Sequence, residues 1–163
     1  MMNAIYILFS YLMGAISFGI LMSHLFSLPD PRTIGSKNPG ATNVLRTGKK
    51  LAALLTLLGD ALKGTLTVGL AQYFELAPMM VGLIAIATLI GHIFPIYYGF
   101  KGGKGVATAA GMLFMFSWVL GLTVLAVWIA VFMIWRYSSL AAIIACKSPI
   151  TSSGTLVLDR MTS

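Results

Sequence analysis

Residues 51–74 read LAALLTLLGDALKGTLTVGLAQYF, a stretch whose only charges, Asp60 and Lys63, lie three positions apart. About 20 mostly apolar residues suffice for a helix to cross the roughly 30 Å hydrocarbon layer, so this stretch predicts a membrane span. Positions i and i+3 share one helical face, where the two charges can neutralise each other. Ionisable groups at membrane depth are costly and rarely idle. Asp60 and Lys63 are therefore expected to face inward as a structural ion pair that fixes helices or supports a site.

The rest of the chain agrees with that reading. Of its 163 residues, 58% are apolar and 9% charged, against roughly 25% charged in ordinary soluble domains. The composition predicts an all-α, polytopic integral membrane protein, a helical bundle. The single cysteine, Cys146, excludes an internal disulfide. No Cys/His cluster has zinc or haem spacing, and neither metal nor cofactor is expected. The net charge of +7 is interrupted by apolar spans. That pattern suits topology and small anions, and no nucleic-acid partner is expected.

Residues 3–26 are predicted as the first span, with Gly14, Ser17 and Gly19 as small residues for close helix approach. The segment at residues 27–50, SLPDPRTIGSKNPGATNVLRTGKK, has three prolines, three glycines and the cations Arg32, Lys37, Arg46, Lys49 and Lys50. A short loop with five Lys/Arg is retained in the cytoplasm, which places the N-terminus outside. Residues 75–78 then form an outer turn and residues 79–100 a third span, in which Pro95 is expected to kink the helix. The aromatics Phe94, Tyr97, Tyr98 and Phe100 suit an interface belt. From Gly105 to Trp135 there are 31 uncharged residues, about 46 Å as one helix and too long for one straight span. A break near Phe116 or Ser117 is expected, with a full span over residues 118–135 and Arg136 at its cytoplasmic end.

Two polar segments can carry chemistry. Within residues 35–46 stand Gly35, Ser36, Lys37, Asn38, Pro39, Gly40, Ala41, Thr42, Asn43 and Arg46. Glycines let backbone N–H groups turn toward a phosphate, hydroxyls and amides add donors, and arginine offers a fork matched to two phosphate oxygens. A solvated loop that sets topology by charge is the plainer alternative. Gly102, Gly103, Lys104 and Gly105 lead into a helix, placing free N–H groups and a positive dipole end beside a lysine. The Walker A spacer is absent, and a glycine-rich membrane turn is an equal reading. His92 precedes this segment; it is either a buried structural imidazole or a group beside a phosphate ester.

Together, GSKNPGATNVLR (35–46), GDALKG (59–64) and GHIFPIYYGFKGGKGVATAAG (91–111) resemble the bacterial acyl-phosphate:glycerol-3-phosphate acyltransferase family, known as PlsY. The resemblance covers residues 1–145, including YSSL at 137–140. It implies a seven-helix enzyme of the bacterial inner (plasma) membrane, active in phospholipid synthesis. Such an enzyme moves a fatty acyl group from acyl phosphate to the sn-1 hydroxyl of glycerol 3-phosphate, yielding lysophosphatidate and phosphate. It also implies a functional link to an enzyme that produces acyl phosphate. By the same resemblance Ser36, Asn38, Thr42, Asn43, Arg46, His92, Lys104 and Ser139 belong to the site. Gly35, Gly40, Gly102 and Gly103 shape its phosphate-binding backbone.

The pattern departs from the family after Ala145. A third motif of the H-x-x-N-I-x-R-L type does not appear, and residues 146–163 read as an atypical polar tail beside a membrane acyltransferase domain at 1–145. Weak or absent turnover is the expectation that follows. The other readings are a small anion or lipid transporter, which should show inverted repeats or broken helices at the midplane, neither of which is visible in the sequence, and an inactive truncated membrane protein.

Overall fold

A computed structural model of the chain describes residues 2–135, and all regular structure among them is helical. The order is α1 (Met2–Ala15), α2 (Phe18–Leu25), α3 (Ala41–Leu45), α4 (Lys50–Tyr73), α5 (Pro78–Ile93), a 3-10 turn at Ile96–Tyr98, α6 (Val106–Phe116) and α7 (Trp118–Trp135). Two compact units divide the chain, residues 1–115 and 116–163. The region around Ser139, the YSSL segment and the boundary expected at residue 145 lie outside the described residues.

Among the described residues, α4 and the stretch Pro78–Tyr98 are long and apolar enough to cross a membrane. A third span is formed if α1 and α2, bent by 43°, are counted as one. That bend corrects the expectation of one continuous helix over residues 3–26. At the bend the Lys63 ammonium donates to the carbonyl oxygen of Ile16 at 2.6 Å, satisfying a group that the broken helix releases. A kink where a side chain enters the backbone ladder is an expected form of helix distortion.

The third stretch is helical only to Ile93, not throughout residues 79–100. Proline disfavours α conformation in the residue before it, and Phe94 has φ −122° and ψ 67°. The break expected near Phe116 or Ser117 is present. Ser117 belongs to neither flanking helix, and its Oγ accepts from Leu120 N at 3.4 Å to start α7.

Inside the first unit, several helix contacts run through glycines, beside an apolar core of Val68, Val81, Ile84 and Met112. Gly14 of α1 lies on the Thr88 backbone of α5, and Gly91 of α5 lies on the Tyr11 carbonyl of α1. Gly64 of α4 meets the Thr108 carbonyl of α6, and Gly111 of α6 meets the Ala61 carbonyl of α4. Lipid tails give helices no hydrophobic reason to associate, so close backbone approach and interhelical hydrogen bonds do the holding. Thr88 Oγ1 donates to Thr67 Oγ1 at 3.0 Å between α5 and α4, a contact worth about 0.6 kcal/mol on average in membranes. Large side chains such as Leu54, Leu58, Leu62 and Ile86 are exposed on the outside, where lipid would lie.

Candidate active site

The basic loop between α2 and α4 is built around Asn43, which is fully buried. Its Nδ2 donates to the carbonyls of Pro31 at 2.7 Å and Ile34 at 3.1 Å, while its Oδ1 accepts from Ser36 N at 3.0 Å. The loop thus curls about one amide. Gly35 and Lys37 both take positive φ, +52° and +56°, to complete the curl. A Cβ at Gly35 would meet Asn43 Oδ1 and approach Arg46 Cδ and Nη1 at 3.3 Å, so the arginine side chain lies along the glycine. Gly40 faces Asn38 Nδ2, and Pro39 rests its carbonyl on Gly19 of α2.

Asn43, expected as a substrate ligand, therefore has its amide committed within the loop. The side chains of Ser36, Asn38, Thr42 and Arg46 have no hydrogen bond or ion pair among the described residues. Replacing Asn43 by Ala leaves three backbone groups without partners, at about 1–3 kcal/mol for each one that water cannot reach. Asn43→Ala should raise the rate of tryptic cleavage at Lys37 and Arg46 several-fold in detergent while helix content stays constant.

The glycine-rich segment folds back on the end of α5. Gly102 N donates to Ile93 O at 3.2 Å and Gly103 N to His92 O at 3.1 Å. These bonds correct the expectation that the two N–H groups are open to a phosphate, because they satisfy carbonyls left over at the helix terminus. The need for glycine is steric instead. A Cβ at Gly102 would strike the His92 carbonyl, and one at Gly103 would strike the imidazole Nε2. Lys104 is exposed, and α6 begins two residues later at Val106, as the sequence predicts.

Beneath this segment lies a buried polar chain. Lys63 Nζ is 2.9 Å from Asp60 Oδ1, with side-chain exposures of 1% and 3%. The expected ion pair is thus formed, and it extends further than the sequence implied. Asp60 Oδ1 is 3.6 Å from His92 Nδ1, and His92 Nδ1 is 3.3 Å from Thr108 Oγ1. One line of groups therefore connects the helix break at Ile16 to the histidine beside Gly103.

The first basic loop is tied to the 3-10 turn after α5 by Arg32, which sequence reasoning did not single out. Its guanidinium forks onto Asp30 at 2.6–3.1 Å, donates to Tyr98 O at 3.1 Å and sits 5.9 Å from the centre of the Tyr98 ring. The signal available was Asp30-Pro31-Arg32, opposite charges flanking a proline. Arg32 holds the Asp30 carboxyl below its ordinary value of 3.8 through direct hydrogen bonding. A lowered carboxylate contributes stability above its unfolded value and loses it as pH falls through the folded one. The thermal midpoint of the purified protein should thus drop more steeply below pH 4 than that of Asp30→Asn, which has no such carboxylate to protonate.

Residues 4–158 match the sequence profile of a family described as glycerol-3-phosphate acyltransferase. A relative of that name from Methylobacillus flagellatus is 61% identical over 145 residues, covering 89% of this chain and 74% of the relative. Another, from Thiobacillus denitrificans, is 49% identical over 161 residues, covering 96% and 80%. The fold is similar to the crystal structure of PlsY (YgiH), an integral membrane glycerol 3-phosphate acyltransferase, in its glycerol 3-phosphate form. The TM-score is 0.87 at 36% identity, over 96% of this chain and 78% of that one.

Proposed function

This chain belongs to the glycerol-3-phosphate acyltransferase family, and from that premise we propose that it transfers a fatty acyl group from acyl phosphate to the sn-1 hydroxyl of glycerol 3-phosphate. The products are lysophosphatidate and inorganic phosphate. The observation that carries the reading is the loop at residues 31–46. Asn43 holds it from within and Arg32 from outside, while Ser36, Asn38, Thr42 and Arg46 keep their polar side chains unengaged among the described residues. Unengaged donors on a fixed backbone suit a phosphate ester.

Both substrates bear phosphate, and Arg46 and Lys104 supply positive charge for them. Ser36 donates to the charge that develops on the carbonyl oxygen, and His92 stands beside a substrate phosphate. Asn38 and Thr42 add hydrogen bonds to the phosphate of glycerol 3-phosphate, and Ser139 completes the set. Gly35, Gly40, Gly102 and Gly103 act by letting backbone and side chains approach closely.

The substrate hydroxyl oxygen attacks the acyl carbon, the bond from that carbon to the phosphate oxygen breaks, and phosphate leaves with the electron pair. The hydroxyl proton passes to a phosphate oxygen of a substrate, so no covalent enzyme intermediate forms. Acyl phosphate is already activated, and positioning supplies most of the acceleration. A trapped acyl-enzyme in a Ser36→Ala or His92→Gln variant would overturn this sequence of bonds.

The setting follows from the chemistry. An acyl chain enters from the bilayer, glycerol 3-phosphate from water, and the donor from an enzyme that makes acyl phosphate. The loops with Arg32, Lys37, Arg46 and Lys104 face the cytoplasm at the inner membrane, and the N-terminus lies outside. The test is incubation of membranes bearing the protein with labelled glycerol 3-phosphate and acyl phosphate, acyl-coenzyme A or no donor. Label should enter lipid with acyl phosphate alone; equal incorporation from acyl-coenzyme A would overturn the donor assignment.

A further inference from the structure

The buried chain from Ile16 to Thr108 contains a carboxylate that touches no loop in which substrate would sit. An ion pair meant only to close the break in the first span would need Lys63 on Ile16 and a counter-charge anywhere nearby. The structure instead places Asp60 Oδ1 on two groups at once, 2.9 Å from Lys63 Nζ and 3.6 Å from His92 Nδ1. We infer that Asp60 is a positioning residue for acyl transfer: with Thr108 it fixes the tautomer and ring orientation of His92, so that Nε2 is presented at Gly103. This inference rests on the proposed role of His92 in the site.

The groups around Nδ1 favour one of the two neutral tautomers. An ionised carboxylate can only accept, and a threonine hydroxyl can accept as well as donate. At 3.6 Å the carboxylate is too far for a full hydrogen bond, yet close enough in a water-poor interior to favour the tautomer with hydrogen on Nδ1. Thr108 Oγ1 at 3.3 Å then accepts that hydrogen. Nε2 is left with its lone pair toward the glycine-rich segment, able to take a proton or, once protonated, to donate one to a phosphate oxygen. The opposite tautomer would aim the Nδ1 lone pair at a carboxylate.

The ring has little room to turn. His92 is 6% exposed. Its helix is pressed at Gly91 against the Tyr11 carbonyl of α1, and Gly103 covers its Nε2 edge. Lys63 balances the charge of Asp60 and ties the pair to Ile16. Groups that orient a functional histidine through its second nitrogen typically change activity by about 10- to 100-fold when removed.

The decisive variant replaces both charges by apolar residues of similar size, Asp60→Leu with Lys63→Met. Buried ion pairs exchanged in this way are often neutral or stabilising, so a purely structural pair predicts a folded, fully active protein. Positioning predicts a folded protein, its thermal midpoint lowered only by the loss of the donor to Ile16, with kcat/KM for glycerol 3-phosphate lower by about 10- to 100-fold. It also predicts no further loss when the double exchange is added to His92→Gln. A second readout comes from 15N-histidine NMR in a His24→Gln background, which leaves one imidazole in the chain. The Nδ1–H tautomer should dominate in the parent and lose its dominance without Asp60.

Full activity in the double exchange, or losses that add to those of His92→Gln, would overturn the inference while leaving His92 in the site. Full activity in His92→Gln itself would instead remove His92 from the proposed function, and this inference with it. If the double exchange does not yield folded protein, Asp60→Asn with Lys63 retained carries the same kinetic and tautomer readouts.

Discussion

Lys63→Met is expected to destabilise the protein by about 3–5 kcal/mol, because it strands the Asp60 carboxylate in a site where its side chain is only 3% exposed. The loss has a second part, since the Ile16 carbonyl at the break between α1 and α2 forfeits its donor. A buried polar group without a partner costs about 1–3 kcal/mol. Adding Asp60→Leu should recover most of the stability by removing the orphaned charge. Thermal unfolding in detergent checks both variants. A single Lys63→Met variant as stable as the parent would mean that the pair carries no structural weight.

Gly103→Ala is expected to act on turnover rather than on folding. A Cβ there would collide with His92 Nε2 and come within 3.0 Å of Cε1 and 3.2 Å of Cδ2. Those ring atoms belong to a side chain held at its other edge by Thr108 and Asp60, so the ring cannot simply swing aside. Displacement of a reacting group by about 1 Å can cost on the order of 100-fold in rate. A fall of that order in kcat/KM, with the thermal midpoint within a few degrees of the parent, is the expected result. Gly82→Ala is the control. A Cβ there meets nothing within 4 Å in mid-helix, and alanine is the better helix former. It should leave activity unchanged.

Where the sequence was legible, local chemistry decided the outcome. Thirty-one uncharged residues had to break somewhere, and Ser117 could cap a new helix, so the junction of α6 and α7 was readable. Pro95 announced the end of α5. Asp60 and Lys63 share a helical face by spacing alone, and their contact followed from it. The partner of the Ile16 carbonyl at the bend was not readable, because it is an ammonium 47 positions away. The approach of His92 to Asp60 was hidden for the same reason: the two lie on different helices, α4 and α5.

In the loops, composition identified an anion-binding type of segment without separating ligands from scaffold. Asn43 and Asn38 are the same residue type five positions apart. One fastens three backbone groups of its own loop, and the other has no side-chain hydrogen bond among the described residues. Likewise Gly102 and Gly103 looked like donors to phosphate, while in the fold their N–H groups end α5 and their missing side chains make room for an imidazole. Only tertiary structure could tell these uses apart.

The stoppered break at Ile16 has a bearing on how the protein is made. A nascent first segment entering the bilayer alone would carry a bare carbonyl at the bend, and the second would carry an ammonium and a carboxylate. Each is a poor passenger by itself. Biogenesis is therefore best served when the two leave the insertion machinery as a hairpin, each masking the other's defect before either meets lipid.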